Sequence, residues 1–222
     1  MNSKTKKALI IGSVVFLILL ADQISKIWVK TNMALFESIY VFDWFQLYFV
    51  ENPGMAFGID PGNKLLLTLF RIVAMCLIVF FISRLIKQDY GIGFILCIGL
   101  VLAGATGNII DSVFYGMIFE AAHHGRVASF VPWGEGYAAL FHGNVVDMFF
   151  FPLIRTNWPE WIPWIGGNEL LFFRFIFNVA DASITIGVAS LLIFYRRTLS
   201  YSLLSKKERE KIDKEKLESQ DA

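Results

Sequence analysis

Four apolar runs of about 20 residues, approximately Ala8–Val29, Leu65–Ile86, Gly91–Phe114 and Leu171–Tyr195, constrain this chain more than any other feature. A helix needs roughly 20 such residues to cross a hydrocarbon core about 30 Å thick, and inside that core every backbone polar group must be satisfied within the segment. The pattern defines an all-α integral membrane protein with four transmembrane helices. Composition agrees: the 222 residues are 56% hydrophobic and 18% charged, against about 45–50% and about 25% in soluble domains. Lys4, Lys6 and Lys7 precede the first run as in a secretory signal, but Ala21-Asp22-Gln23 is not a small-x-small cleavage site, so this run reads as a retained helix.

The net charge of +1 argues against a nucleic-acid partner. Two cysteines, Cys76 and Cys97, both inside apolar runs, provide neither a disulfide framework nor a thiol zinc site. Thirteen of the 20 basic residues fall before span one, at the turn joining spans two and three (Arg84 and Lys87), or after span four. The positive-inside rule therefore places both termini in the cytoplasm. The long connections, about 30–64 and 115–170, then face outward with all six tryptophans in them or at their margin, which suits an interfacial aromatic belt. In the first connection Ile39–Val50 reads as one or two strands of a small extracytoplasmic sheet. The second is long enough to be a functional flap or an insertion. Residues 1–200 form one membrane domain, and 201–222 a charged cytoplasmic tail.

Ionisable groups at membrane depth are costly and point to function. Asp22 and Lys26, four apart with the acid first, share a helix face at the outer end of span one. Asn108 and Asp111 lie at the outer end of span three on one stripe with Gly104 and Gly107, where a neighbouring backbone can come close. Asn178 and Asp181 repeat the three-residue spacing at the outer start of span four, and Asp147 follows the long second connection. A topology assigned from Lys and Arg alone thus gathers four acids at one depth. Two close carboxylates cannot both ionise cheaply, so one keeps a proton while the other acts as a base, which is the chemistry of an aspartic peptidase. The rival use of such acids is proton coupling in a transporter. Carriers generally hold them near the midplane of repeated halves, whereas these sit at one edge and no repeat is visible. Ser25, Ser183 and Ser190 have no histidine at matching depth. His123 and His124 with Glu120 lack the spacing of metal ligands, so neither metal nor cofactor is expected. Arg71 and Arg174 read as cations snorkelling to headgroups.

Five blocks in order resemble the bacterial lipoprotein signal peptidases, over about Ile10–Tyr195. They are Asp22-Gln23-Ile24-Ser25-Lys26, Asn52-Pro53-Gly54-Met55-Ala56-Phe57-Gly58, Gly104-Ala105-Thr106-Gly107-Asn108-Ile109-Ile110-Asp111, Gly143-Asn144-Val145-Val146-Asp147 and Phe177-Asn178-Val179-Ala180-Asp181. The resemblance implies an aspartic endopeptidase of the bacterial inner membrane with its active site on the outer side. It implies a substrate prolipoprotein carrying diacylglycerol on a cysteine and cut just before it, with membrane lipid as surroundings and a monomer as the working form. It selects Asp147 and Asp181 as the catalytic pair from the four acids. Asp22, Lys26, Asn52, Gly54, Gly104, Asn108, Asp111 and Asn178 are implied to line or brace the site. Three departures stand out: Ala103 for a usual glycine, Ser112 for the arginine that usually follows the aspartate, and the long stretch between Ser112 and Gly143. Arg126 in that stretch is a candidate replacement partner for Asp111, and Met55 and Phe57 are candidates to meet acyl chains or pack on the sheet.

Overall fold

The computed structural model describes residues 2–54 and 63–220; Met55 and Phe57 lie outside the described residues. Helix α1 (Ser3–Asn32) is followed by strands β1 (Ser38–Phe42) and β2 (Phe45–Asn52), then by α2 (Lys64–Lys87) and α3 (Ile92–Ile110). A π-helical turn (Asp111–Tyr115) and the short α4 (Gly116–Ile118) extend α3. Strands β3 (Val145–Phe150), β4 (Ile154–Asn157), β5 (Glu169–Phe172) and β6 (Ile176–Phe177) lead into α5 (Val179–Phe194), α6 (Arg196–Leu203) and α7 (Lys206–Gln220). Among the described residues three helices are long and apolar enough to cross a membrane, or four if α5 and α6, which meet at 92°, are one broken span.

The expected fourth span starts too early. Residues 171–177 are strand and loop, and the helix begins at Val179, because Asn178 caps it and the preceding Phe-rich stretch extends the sheet. An apolar run alone does not separate a buried strand from a helix. The first connection, expected to hold one or two strands, holds two: β1 and β2 pair antiparallel as a hairpin. Unforeseen was the rest of the four-stranded sheet, whose order is β1-β2-β3-β6. A separate β4–β5 hairpin carries Trp161 and Trp164, which are 81% and 98% exposed.

Among the described residues the buried side chains form two apolar cores. At the end holding the α2–α3 turn, Ile11, Ile82, Leu85, Phe94, Ile95, Cys97, Ile98 and Leu191 pack together. There Lys7 pairs with Asp89 and also donates to the Tyr90 carbonyl, tying α1 to the turn. At the opposite end Val29, Met33, Phe49, Tyr115, Phe119, Ala122, Val146 and Met148 form the second core. The long second connection joins this core: Phe119 bridges Phe130, and Val127 bridges Ala34 at the end of α1. Between the cores the helices run unusually close. A β-carbon at Gly104 would overlap the Ala180 carbonyl, and one at Gly107 would overlap the Asp22 carboxylate, so α3 has glycine where α5 and α1 approach it. Ala103 is fully buried, which makes that departure one of packing.

Candidate active site

Strand β3 is central, with β2 on one side and β6 on the other. Val146 and Met148 enter the second core, so the alternation of a strand turns Asp147 to the opposite face, against the helix ends. Asp147 is 4% exposed. Its register partner on β2 is Val50, two residues before Asn52, whose Nδ2 donates to Asp147 Oδ2 at 3.4 Å. Asn178 Nδ2 donates to Asp147 Oδ1 at 2.6 Å. Burial first and the Asp181 charge second push the Asp147 carboxyl up to about 7.

Asp181 is placed by a helix start. Asn178 Oδ1 accepts from the Asp181 amide at 2.9 Å, and Asp181 Oδ2 accepts from the Asn178 amide at 3.3 Å, a reciprocal capping box. Asp181 Oδ1 also accepts from Asn108 Nδ2 at 2.8 Å. Asn178 Nδ2 lies 3.2 Å from Asn108 Oδ1, so the two amides link the carboxylates of Asp147 and Asp181. An apolar cavity of about 430 Å³ opens beside Asp181, lined by Phe173, Phe175, Phe177, Ala182, Thr185 and Ile186.

The other two acids are held differently. Lys26 Nζ lies 2.9 Å from each of Asp22 Oδ2, Asp111 Oδ2 and Asn108 Oδ1. An ammonium has three hydrogens, and here each has an acceptor. Asp22 Oδ1 accepts from the Ala180 amide at 2.9 Å and so caps α5 from α1. Asp111 Oδ2 accepts from the Val146 amide at 3.3 Å, fixing β3 next to Asp147. All four acids therefore belong to one hydrogen-bonded cluster. Asn108 bonds Asp181 directly instead of only bracing its own helix with Asp111.

Gly54 has φ +97°, a left-handed conformation suited to glycine, and its amide donates to Asn52 Oδ1 at 2.9 Å. The turn thereby orients Asn52 toward Asp147. Arg126 is not the partner of Asp111: it pairs with Glu120 at 2.9 Å in the exposed loop, while Asp111 takes Lys26. Glu120 is thus engaged by Arg126, and the His124 ring stacks at a tilt on Phe36. Arg174 is exposed, but Arg71 is not a simple snorkelling cation, since it turns inward to Ser112.

Several residues of this region escaped sequence reading. Gln23 donates to Asp22, the Gly107 carbonyl and Asp111, and accepts from the Tyr115 hydroxyl. Lys30 is fully buried, pairs with Glu51, and lies under the rings of Phe119 and Tyr137 at 5.4 and 5.0 Å. Glu51 Oε2 accepts from Asn144 Nδ2 at 2.9 Å, joining β2 to the start of β3. The available signal was spacing, because Asp22, Lys26 and Lys30 repeat every four residues on one face of α1.

The family model described as signal peptidase (SPase) II matches residues 14–197. A lipoprotein signal peptidase of Porphyromonas gingivalis is 49% identical over 206 residues, covering 92% of this chain and 91% of that protein. One from Amoebophilus asiaticus is 35% identical over 222 residues, covering 97% and 89%. Among solved structures, a bacterial membrane enzyme determined by the in meso method at 2.3 Å aligns with a TM-score of 0.56 at 22% identity, covering 88% of this chain and 93% of that one. That likeness concerns the fold. The chain belongs to the signal peptidase II family and is by class an aspartic endopeptidase of the membrane. The transporter reading of the same carboxylates has no support among these relatives.

Proposed function

We propose that this chain removes the signal peptide from diacylglyceryl-modified prolipoproteins, cutting before the lipidated cysteine, with Asp147 and Asp181 as the catalytic pair. The observation that carries this is the bridging of two carboxylates by Asn178 and Asn108, with one of them raised to about 7 by burial and by its partner's charge. One aspartate takes a proton from water, whose oxygen then bonds to the scissile carbonyl carbon. The other, protonated, hydrogen-bonds the carbonyl oxygen, and the amine leaves with a proton as the carbon–nitrogen bond breaks.

Asn52 and Asn178 are amides able to hold the substrate backbone. Asp22, Lys26, Gly54, Gly104, Asn108 and Asp111 fix the helix ends, close approaches and turn that present the pair. The cavity beside Asp181, walled by three phenylalanines, has the chemistry to accept an acyl chain. The enzyme acts as a monomer within residues 1–200 of the inner membrane, with both termini cytoplasmic, the pair on the outer side, and 201–222 a solvated tail. Exposed Trp161 and Trp164 suit an interfacial position for the β4–β5 hairpin.

The test is purified enzyme given a diacylglyceryl-cysteine precursor and its unlipidated twin, with and without chelator. Cleavage of the lipidated form alone, indifferent to chelation, is expected. Equal cleavage of both forms overturns the substrate assignment, and chelator-sensitive cleavage overturns the two-carboxylate mechanism.

A further inference from the structure

Arg71 is a cation in the apolar helix α2 that neither snorkels outward nor belongs to the Lys26 cluster. Its Nη1 donates to Ser112 Oγ at 3.5 Å. Ser112 Oγ in turn donates to the Asn108 carbonyl at 2.9 Å, and Asn108 Nδ2 holds Asp181 Oδ1 at 2.8 Å. On its other side the guanidinium lies against Gly54: its two terminal nitrogens are 3.6 and 3.7 Å from where a β-carbon would stand. Gly54 orients Asn52, which reaches Asp147. One guanidinium is therefore wedged between the arm that holds Asp181 and the arm that holds Asp147. Its charge and that of Asp181 attract each other, while Asp147 feels the charge of Lys26, which is itself bonded to Asp22 and Asp111. Among the described residues Lys26 is hydrogen-bonded to Asp22 and Asp111, and no cation is hydrogen-bonded to Asp147.

We propose that Arg71 is a positioning residue of the aspartate pair, keeping the pair's single negative charge on Asp181 so that Asp181 takes the proton from water and Asp147 donates to the scissile carbonyl. The inference rests on the peptidase reading above and adds to it a division of labour. A cation near one member of a carboxylate pair breaks its symmetry, since it favours the ionised form of the nearer group. Arg71 touches neither water nor substrate in this role. It acts through Asp181, and Ser112 fixes where its charge sits.

The experiment compares Arg71→Lys, Arg71→Gln, Arg71→Met and Ser112→Ala with wild type on the lipidated precursor, folding being checked by thermal unfolding in detergent. If charge is what matters, Arg71→Gln and Arg71→Met lower kcat by about 100-fold with KM within about 2-fold, while Arg71→Lys stays within about 10-fold of wild-type kcat. Ser112→Ala, which keeps the cation and loses its tether, falls between them. Wild-type kcat in Arg71→Gln overturns the proposal. So does Arg71→Lys as inactive as Arg71→Met, or a loss confined to KM. Should Arg71→Met fail to fold, the Lys and Gln variants decide the question alone. Wild-type enzyme runs in parallel, so a wild type that leaves the precursor uncut indicts the peptidase reading and not the role of Arg71.

Discussion

Two pairs of aspartates share one polar band, yet the protein treats them differently. Asp22 and Asp111 each lie 2.9 Å from the fully buried Lys26 ammonium, and each also accepts a backbone amide from a neighbouring element, Ala180 for Asp22 and Val146 for Asp111. Asp147 and Asp181 receive amide donors, from Asn52 and Asn178 on one side and from Asn108 and the Asn178 backbone on the other. A buried carboxylate with a bonded cation and satisfied lone pairs is an inert brace. Asp147, held only by neutral donors beside a second carboxylate, keeps its affinity for a proton. On the proposed assignment, identical side chains linked through Lys26 and Asn108 are divided between architecture and chemistry, and the pair bonded to the cation is the architectural one.

The sharpest way to break this comparison is to neutralise each acid in turn. Asp147→Asn and Asp181→Asn are expected to lower kcat on a lipidated precursor by about 10⁴-fold or more while the protein remains folded and inserted. Asp22→Asn and Asp111→Asn are expected instead to lose stability first, seen as a lower detergent melting temperature, with activity falling in proportion to the folded fraction. Near-wild-type cleavage in either of the first two would remove that aspartate from the chemistry. A fully folded but inactive Asp22→Asn would erase the distinction between the pairs.

Next in size is Lys26→Met. It leaves Asp22 and Asp111 facing each other without their cation, an uncompensated buried charge that typically costs about 3–5 kcal/mol. The measurement is thermal unfolding of the purified variant. The expected rescue is the triple change Asp22→Asn, Lys26→Met, Asp111→Asn, in which no charge remains to be paired. A stable Lys26→Met would mean that the brace is not electrostatic.

Much of this arrangement was legible in the sequence, for physical reasons. Three of the four apolar runs became long helices because hydropathy over 20 residues admits little else in a bilayer. The pairing of Asp22 with Lys26 follows from helix periodicity, and the close approach at Gly104 and Gly107 from the absence of a β-carbon. Asn178 and Asp181 were visible as a pair from their three-residue spacing, but not as a cap, because the span was expected to begin at Leu171. What was not legible is what depends on register between distant segments. Strand β3 carries Asp147, but Val-Val-Asp-Met is buried throughout and lacks the alternation that marks a half-exposed strand. The run from 171 to 177 looked helical because a continuous apolar sequence carries no strand alternation either. Arg71 meets Ser112 across 41 positions of sequence, and only the packing of α2 against α3 brings them together.

A smaller effect sharpens the contrast through pH. The Asp147 carboxyl is raised from an ordinary 3.8 to about 7, mainly by burial and then by Asp181. The folded chain therefore holds a proton that the unfolded chain has already released across that interval. Folded protein binding more protons than unfolded means stability declines as pH rises from 3.8 to about 7 and levels off above it. The size is on the order of 2–4 kcal/mol across the window, from roughly 1.4 kcal/mol per unit discounted for relaxation. Asp147→Asn should lack this component, so melting curves of wild type and variant should diverge with rising pH. Parallel curves would place Asp147 in ordinary solvent.

The smallest expected effect concerns the loop ion pair of Arg126 and Glu120. Arg126 occurs in the stretch that follows Ser112, and from sequence it was a plausible cation for Asp111. The structure puts it on Glu120 with its side chain 68% exposed. Exposed pairs of this kind contribute less than about 1 kcal/mol, because water screens them and two long side chains lose freedom in making them. Arg126→Ala should therefore leave both the melting temperature and kcat within about 2-fold or a degree or two of wild type, in contrast to Lys26→Met. If Arg126→Ala instead reproduced the instability of Lys26→Met, the loop would have to fold inward over Asp111. The buried lysine would then be sharing its brace with the long connection, and the sorting of the four acids by a single cation would no longer hold.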